Sequence, residues 1–119
     1  MIAVESAANS VLDLRHNLVA PHRVVASSTL EFLRRAQAEG QPRPDFVVVD
    51  PPRAGLGKEI SARLSQIGPQ HITYVSCDPA TLSRDLKSLL DSGYHLTDLT
   101  MVDLFPQTFH LESVAMLSR

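Results

Sequence analysis

Cys77 is the only cysteine of this 119-residue chain, and it stands in the stretch "HITYVSCDPATLSRDL" between an apolar run and a helix-start signal. The positive end of a helix dipole stabilises a thiolate. The carboxylate of Asp78 next door repels one. A thiol so placed is a buried filler or a nucleophile. Pairing with His71, His95 or His110 for protease chemistry has no local signature in its favour. Glu112 begins the last apolar run, directly after "FPQTFH". An acid there is a general base or an ordinary strand-end carboxylate. Asp50 closes "DFVVVD" and leads into "PPRAG". The prolines stiffen that exit and remove two backbone donors, which makes either a rigid surface turn or a ledge for a planar ligand. Arg53 follows them where an aromatic ring would be needed for stacking, so a charged or hydrogen-bonded contact is expected. Glu5 ends "IAVE". It can accept from the two hydroxyls of a ribose or favour the start of the next helix.

Elements of the right kind surround these residues. Ile2 to Glu5 reads as a buried strand, and Ser6 to Val19 as a helix with Ala7, Val11, Leu14 and Leu18 at helical spacing. "RVVA", residues 23–26, is a short strand. Ser28 with Glu31 makes a capping box for a helix that ends at Gly40. Asp45 to Asp50 is a strand, Lys58 to Ile67 a helix ended by Gly68 and Pro69, and "HITYVS" a strand. Asp78 as N-cap with Pro79 at the first helical position starts a helix to about Ser92. "HLTDLTMVDLF" and "LESVAMLSR" are strands joined by "PQTFH", close enough to be antiparallel neighbours. Alternating strands and helices define an α/β fold with a mostly parallel sheet and a C-terminal antiparallel hairpin. In open α/β sheets ligands bind at the C-terminal strand ends, where Glu5, Asp50 and Cys77 fall.

Composition narrows the class. The chain is 44% hydrophobic and 20% charged, with a net charge of -2, so it is globular and has the length of one domain. An RNA-binding module working alone is usually more basic. One cysteine forms no internal disulfide, which fits a reducing cytoplasm. There is no apolar run of about 18 residues, and "MIAVESAANS" is not a secretory signal. Neither "AGLGKE" nor "SGYH" matches a glycine-rich cofactor loop. A chain that opens inside a strand is expected to be truncated at its N-terminus.

Taken together, "DPPRAG", "YVSCDPATLSRDL" and "DLFPQTFHLESVAML" resemble, in order and spacing, the C-terminal part of the class I methyltransferase domain of the uridine-C5 RNA methyltransferases. The resemblance runs through the chain and is strongest from Asp45 to Arg119. It implies a Rossmann-like fold and S-adenosyl-L-methionine (SAM) as cofactor. The substrate it implies is a uridine of transfer or ribosomal RNA, flipped from its stack. Cys77 matches the nucleophile that adds to uracil C6, and Glu112 the base that removes the C5 proton. Glu5 matches the acid that holds the SAM ribose, and Asp50 an acid at the cofactor and base pocket. Arg53 and Arg84 match motif positions on the substrate side. Asp78 stands where the family usually has Asn. Ser27 and Ser28 stand where an acid or amide often holds adenine. Family members also carry an N-terminal RNA-binding barrel, often an iron–sulfur linker, and then the first sheet strand with its SAM loop. Without that strand, the sheet is expected to close up, dimerise or be completed by another chain. Two readings follow: the catalytic half of such an enzyme, or a remnant or partner-dependent module that cannot hold SAM alone. A third, methylation of amino groups, is disfavoured by Arg53 and by the Cys77 and Glu112 pair.

Overall fold

The computed structural model describes residues 1–103 and 111–119. The linking "PQTFH", and Leu104 and Phe105 of the predicted penultimate strand, lie outside the described residues. The chain divides into two compact units, Met1–Gln41 and Pro42–Arg119.

In the first unit, β1 (Ile2–Glu5) and β2 (Arg23–Ala26) pair in parallel, from Ile2 opposite Arg23 to Glu5 opposite Ala26. Between them runs α1 (Ala8–Asn17), and α2 (Thr29–Ala38) follows. α1 is shorter than its apolar spacing suggests. Glu5 Oε1 accepts from the backbone N–H of Ser6 at 2.6 Å and of Ala7 at 2.7 Å, which holds those residues in a turn ahead of the helix. The expected cap of α2 is present: Ser28 Oγ accepts from Glu31 N at 3.2 Å. Val11, Leu33 and Ala36 are the buried apolar residues of this unit.

The second unit holds β3 (Phe46–Val49), α3 (Gly57–Ile67), β4 (His71–Ser76), α4 (Pro79–Asp91), β5 (His95–Val102) and β6 (Glu112–Ser118). Its strand order is β3-β4-β6-β5. β3 and β4 are parallel, and β6 is antiparallel to both β4 and β5. β6 takes the interior place because Ser113, Ala115 and Leu117 alternate on it as buried residues. β5 is exposed along nearly its whole length and forms an edge. The core joins the sheet to both helices through Leu64 of α3, Ile72 and Tyr74 of β4, Leu82, Leu86 and Leu89 of α4, and Ala115 and Leu117 of β6. Gly68 ends α3 in the left-handed region, at φ 68 and ψ 47.

Candidate active site

Strand register brings three of the predicted residues to one edge of the second unit. β4 and β6 pair from His71 opposite Ser118 to Ser76 opposite Ser113. The ladder stops there, one residue before Cys77 and one residue after Glu112, so the two lie at the same end of this strand pair. β3 pairs in parallel with β4 as far as Val49 opposite Tyr74. Asp50 therefore leaves β3 beside the end of β4, about 4.8 Å away across the sheet. Cys77 and Glu112 are half-buried, and Asp50 is exposed.

The turn that carries Cys77 is tied down on both sides. Ser76 Oγ accepts from Asp78 N at 3.1 Å and donates to Asp78 O at 3.0 Å, so one buried hydroxyl brackets the cysteine. Asp78 Oδ1 accepts from Thr81 N at 2.9 Å and from Thr81 Oγ1 at 3.2 Å. Its charge is thus directed into the N-terminus of α4. The Thr81 amide first, and then the Thr81 hydroxyl, the Ala80 amide and the Arg53 guanidinium, hold the Asp78 carboxyl below its ordinary value, against partial desolvation. Sequence reasoning passed over Ser76 and Thr81. Thr81, three residues after the cap, carries a signal in the sequence; Ser76 carries none, because its role depends on the turn itself.

Glu5 stands in the first unit and is described there alone. Its two bonds from Ala7 and Ser6, in that order, lower its carboxyl below the ordinary value against slight desolvation. Both bonds fall on Oε1. Ser27 and Ser28 are engaged locally: Ser27 Oγ donates to Ser28 O at 3.2 Å and to Glu31 Oε2 at 3.3 Å.

The arginines of the motifs have partners within the protein. Arg84 Nη2 donates to Ala54 O at 2.8 Å, and Arg84 also pairs with Asp85 at 2.9 Å. The Arg53 carbonyl accepts from Thr81 Oγ1 at 2.9 Å. Among the described residues no group of His, Cys, Asp and Glu could hold a metal ion. None of the described helices is long and apolar enough to cross a membrane.

Because the Glu5 and Asp78 carboxyls are lowered by folding, they contribute stability above their unfolded values that is lost as pH falls through the folded ones. Resistance to urea should therefore fall progressively below about pH 4.5. Asp78→Asn keeps a good cap and removes that titration, so its urea midpoint should decline less between neutral and acid pH. An unchanged decline would exclude Asp78 as a source.

Alternating strands and helices that close on an antiparallel hairpin define a Rossmann-like methyltransferase fold. Precorrin-6y C5,15-methyltransferase from Geobacter metallireducens shares it at a TM-score of 0.70 and 17% identity, over 99% of this chain and 67% of that one. The family described as tRNA (uracil-5-)-methyltransferase matches residues 31–119, and the chain belongs to it. Pyrococcus abyssi tRNA (uracil-54, C5)-methyltransferase, solved in complex with S-adenosyl-L-homocysteine, is 32% identical. It aligns over 98% of this chain and 28% of that chain, with a TM-score of 0.76. An uncharacterised RNA methyltransferase of Streptomyces coelicolor is 42% identical over 118 residues, 98% of this chain and 25% of the relative. The chain thus spans about a quarter of the length of the curated relative it matches.

Proposed function

We propose that this chain supplies the nucleophile and the general base for SAM-dependent methylation of a uridine C5 in RNA, transfer or ribosomal, in the reducing cytoplasm. The observation that supports the reading is the β4–β6 register, which ends at Ser76 opposite Ser113 and so leaves Cys77 and Glu112 at the same end of the strand pair. Uracil C5 is a weak nucleophile until a thiolate adds beside it. The Cys77 Sγ forms a bond to C6, and the electrons of the C5=C6 double bond move toward C5 and the neighbouring carbonyl. S-adenosyl-L-methionine, when bound, supplies the electrophilic methyl group that the activated C5 accepts. Glu112 then takes the proton from C5. The electrons of that C–H bond rebuild the double bond and expel Sγ from C6.

The residues present fit the cofactor as acceptors. The Glu5 carboxyl is held in its ionised form by amides that occupy Oε1. A charged acceptor of this kind suits ribose hydroxyls. Asp50 is exposed directly after β3, and in this reading it is an acid of the cofactor and base pocket. The Arg53 side chain serves the RNA side.

Two measurements test the reading. Calorimetric titration should show SAM binding at or below millimolar concentration. RNA carrying 5-fluorouridine, whose C5 offers no proton to remove, should become covalently attached, with peptide mapping placing the bond on Cys77. Failure of both would favour a remnant that keeps the motifs without catalysis.

A further inference from the structure

Asp85 is the one buried carboxylate on the apolar stripe of α4, at 2% exposure between Leu82, Leu86 and Leu89. It accepts four hydrogen bonds. Oδ2 takes Leu56 N at 2.6 Å and the Tyr74 hydroxyl at 2.7 Å. Oδ1 takes Arg84 Nε at 3.0 Å and Arg84 Nη2 at 2.9 Å. Burial first, and then the hydrogen bond and charge of Asp85, push the Tyr74 phenol well above its usual value, so it stays a donor at neutral pH. A buried ionic cluster is poor evidence of added stability, since apolar groups of the same size often serve as well. What it does provide here is a fixed geometry among separate segments.

Those segments are the ones that make the candidate site. The loop at residues 50–56 is gripped from α4 at Arg53 O by Thr81, at Ala54 O by Arg84 and at Leu56 N by Asp85. Gly55 lies under the grip at φ +74, where a Cβ would collide with Asp85 Oδ2 and stand 2.7 Å from Arg84 Nη2. The same α4 begins at the Asp78 cap, next to Cys77. The Thr81 hydroxyl touches both sides, bonding Arg53 O and Asp78. The Tyr74 bond anchors the cluster to β4, three residues before Cys77.

We propose that Asp85 is a positioning residue: its buried carboxylate, joined to Leu56, Tyr74 and Arg84, fixes loop 50–56, and with it Asp50 and Arg53, beside the Cys77 thiol. Arg84 then acts on the loop rather than on RNA. The proposal rests on Cys77 being the reactive group of this site, and its test separates the two ideas. As the only cysteine, Cys77 reports its surroundings through its rate of alkylation by iodoacetamide, followed by mass spectrometry without RNA. Asp85→Asn should raise that rate at least about threefold as the loop comes free. Arg84→Ala alters a half-exposed side chain, so it should fold even where Asp85→Asn does not, and it should move the rate in the same direction. Ile72→Val trims the core at a residue that is 1% exposed; it lowers the unfolding midpoint while keeping the three hydrogen bonds that hold the loop, and should leave the rate unchanged. With 5-fluorouridine RNA, Asp85→Asn should slow the maximal rate of adduct formation about tenfold or more, with little change in the half-saturating RNA concentration. Alkylation of both Asp85→Asn and Arg84→Ala at the original rate, or an equal shift in Ile72→Val, overturns the proposal. Absence of any RNA adduct from the unaltered chain, with the alkylation contrast intact, counts against the uridine reading and leaves the positioning role standing.

Discussion

Cys77→Ala is expected to abolish methyl transfer before any bond to RNA forms, whereas Glu112→Gln is expected to stop it afterwards, with RNA still attached. The two residues flank the end of the β4–β6 ladder, yet the proposed cycle uses them at opposite ends. Without the thiol, C5 is never activated, and neither product nor adduct should appear. Without the Glu112 carboxylate, addition and methylation can proceed, but the C5 proton has no acceptor and Sγ cannot be expelled. Turnover should fall about 10²- to 10⁴-fold, the usual size of a lost general base. The diagnostic is the adduct rather than the rate. In Glu112→Gln, ordinary uridine RNA with SAM should migrate with the protein on a denaturing gel and carry the transferred methyl at C5. In the unaltered chain that complex should be transient. Free methylated RNA released by Glu112→Gln at an undiminished rate would remove Glu112 from the role, and a gel-stable complex in Cys77→Ala would remove Cys77.

Much of this arrangement was legible because it is local. Asp78 before Pro79 announces a helix start, and α4 begins there with the Thr81 amide on the Asp78 carboxylate. "DFVVVD" and "HITYVS" have lengths and compositions suited to strands, and they pair in parallel as expected, although Phe46 and Val48 of β3 stay exposed. The antiparallel relation of β5 and β6 followed from their closeness in sequence. That β6 slips between β4 and β5 did not, because it depends on which strand can bury both of its neighbours' edges. Ser113, Ala115 and Leu117 decide that only once the strands compete for the interior. Apolar spacing predicts α1 from Ser6, because it does not record that Glu5 holds the next two amides for itself. Asp85 did carry a signal: an acid on the stripe of Leu82, Leu86 and Leu89 has to find partners or be expelled. Its partners, Tyr74 and Leu56, are 11 and 29 residues away, beyond any periodicity.

The largest effect on stability is expected from Leu89→Ala. Leu89 is fully buried at the C-terminal end of the stripe with which α4 meets the sheet. Truncation removes its transfer free energy and leaves a cavity that close-packed neighbours fill only in part, a loss of about 2–5 kcal/mol. A small domain has only about 5–15 kcal/mol in total, and each kcal/mol shifts the midpoint of a body this size by roughly 4–8 °C. Thermal unfolding followed by circular dichroism should therefore show a midpoint lower by at least about 10 °C. A drop of only a degree or two would mean that α4 is not held by this stripe. The consequence for the site is one of population. Leu89 lies between the Asp85 cluster and the far end of α4 and makes no hydrogen bond to loop 50–56. Molecules that remain folded should present Cys77 unchanged, and alkylation well below the midpoint should match the original rate. Asp85 and Leu89 thus share one helix face and divide its work: the leucine decides how much of the protein is folded, and the aspartate decides what the folded protein holds beside its thiol.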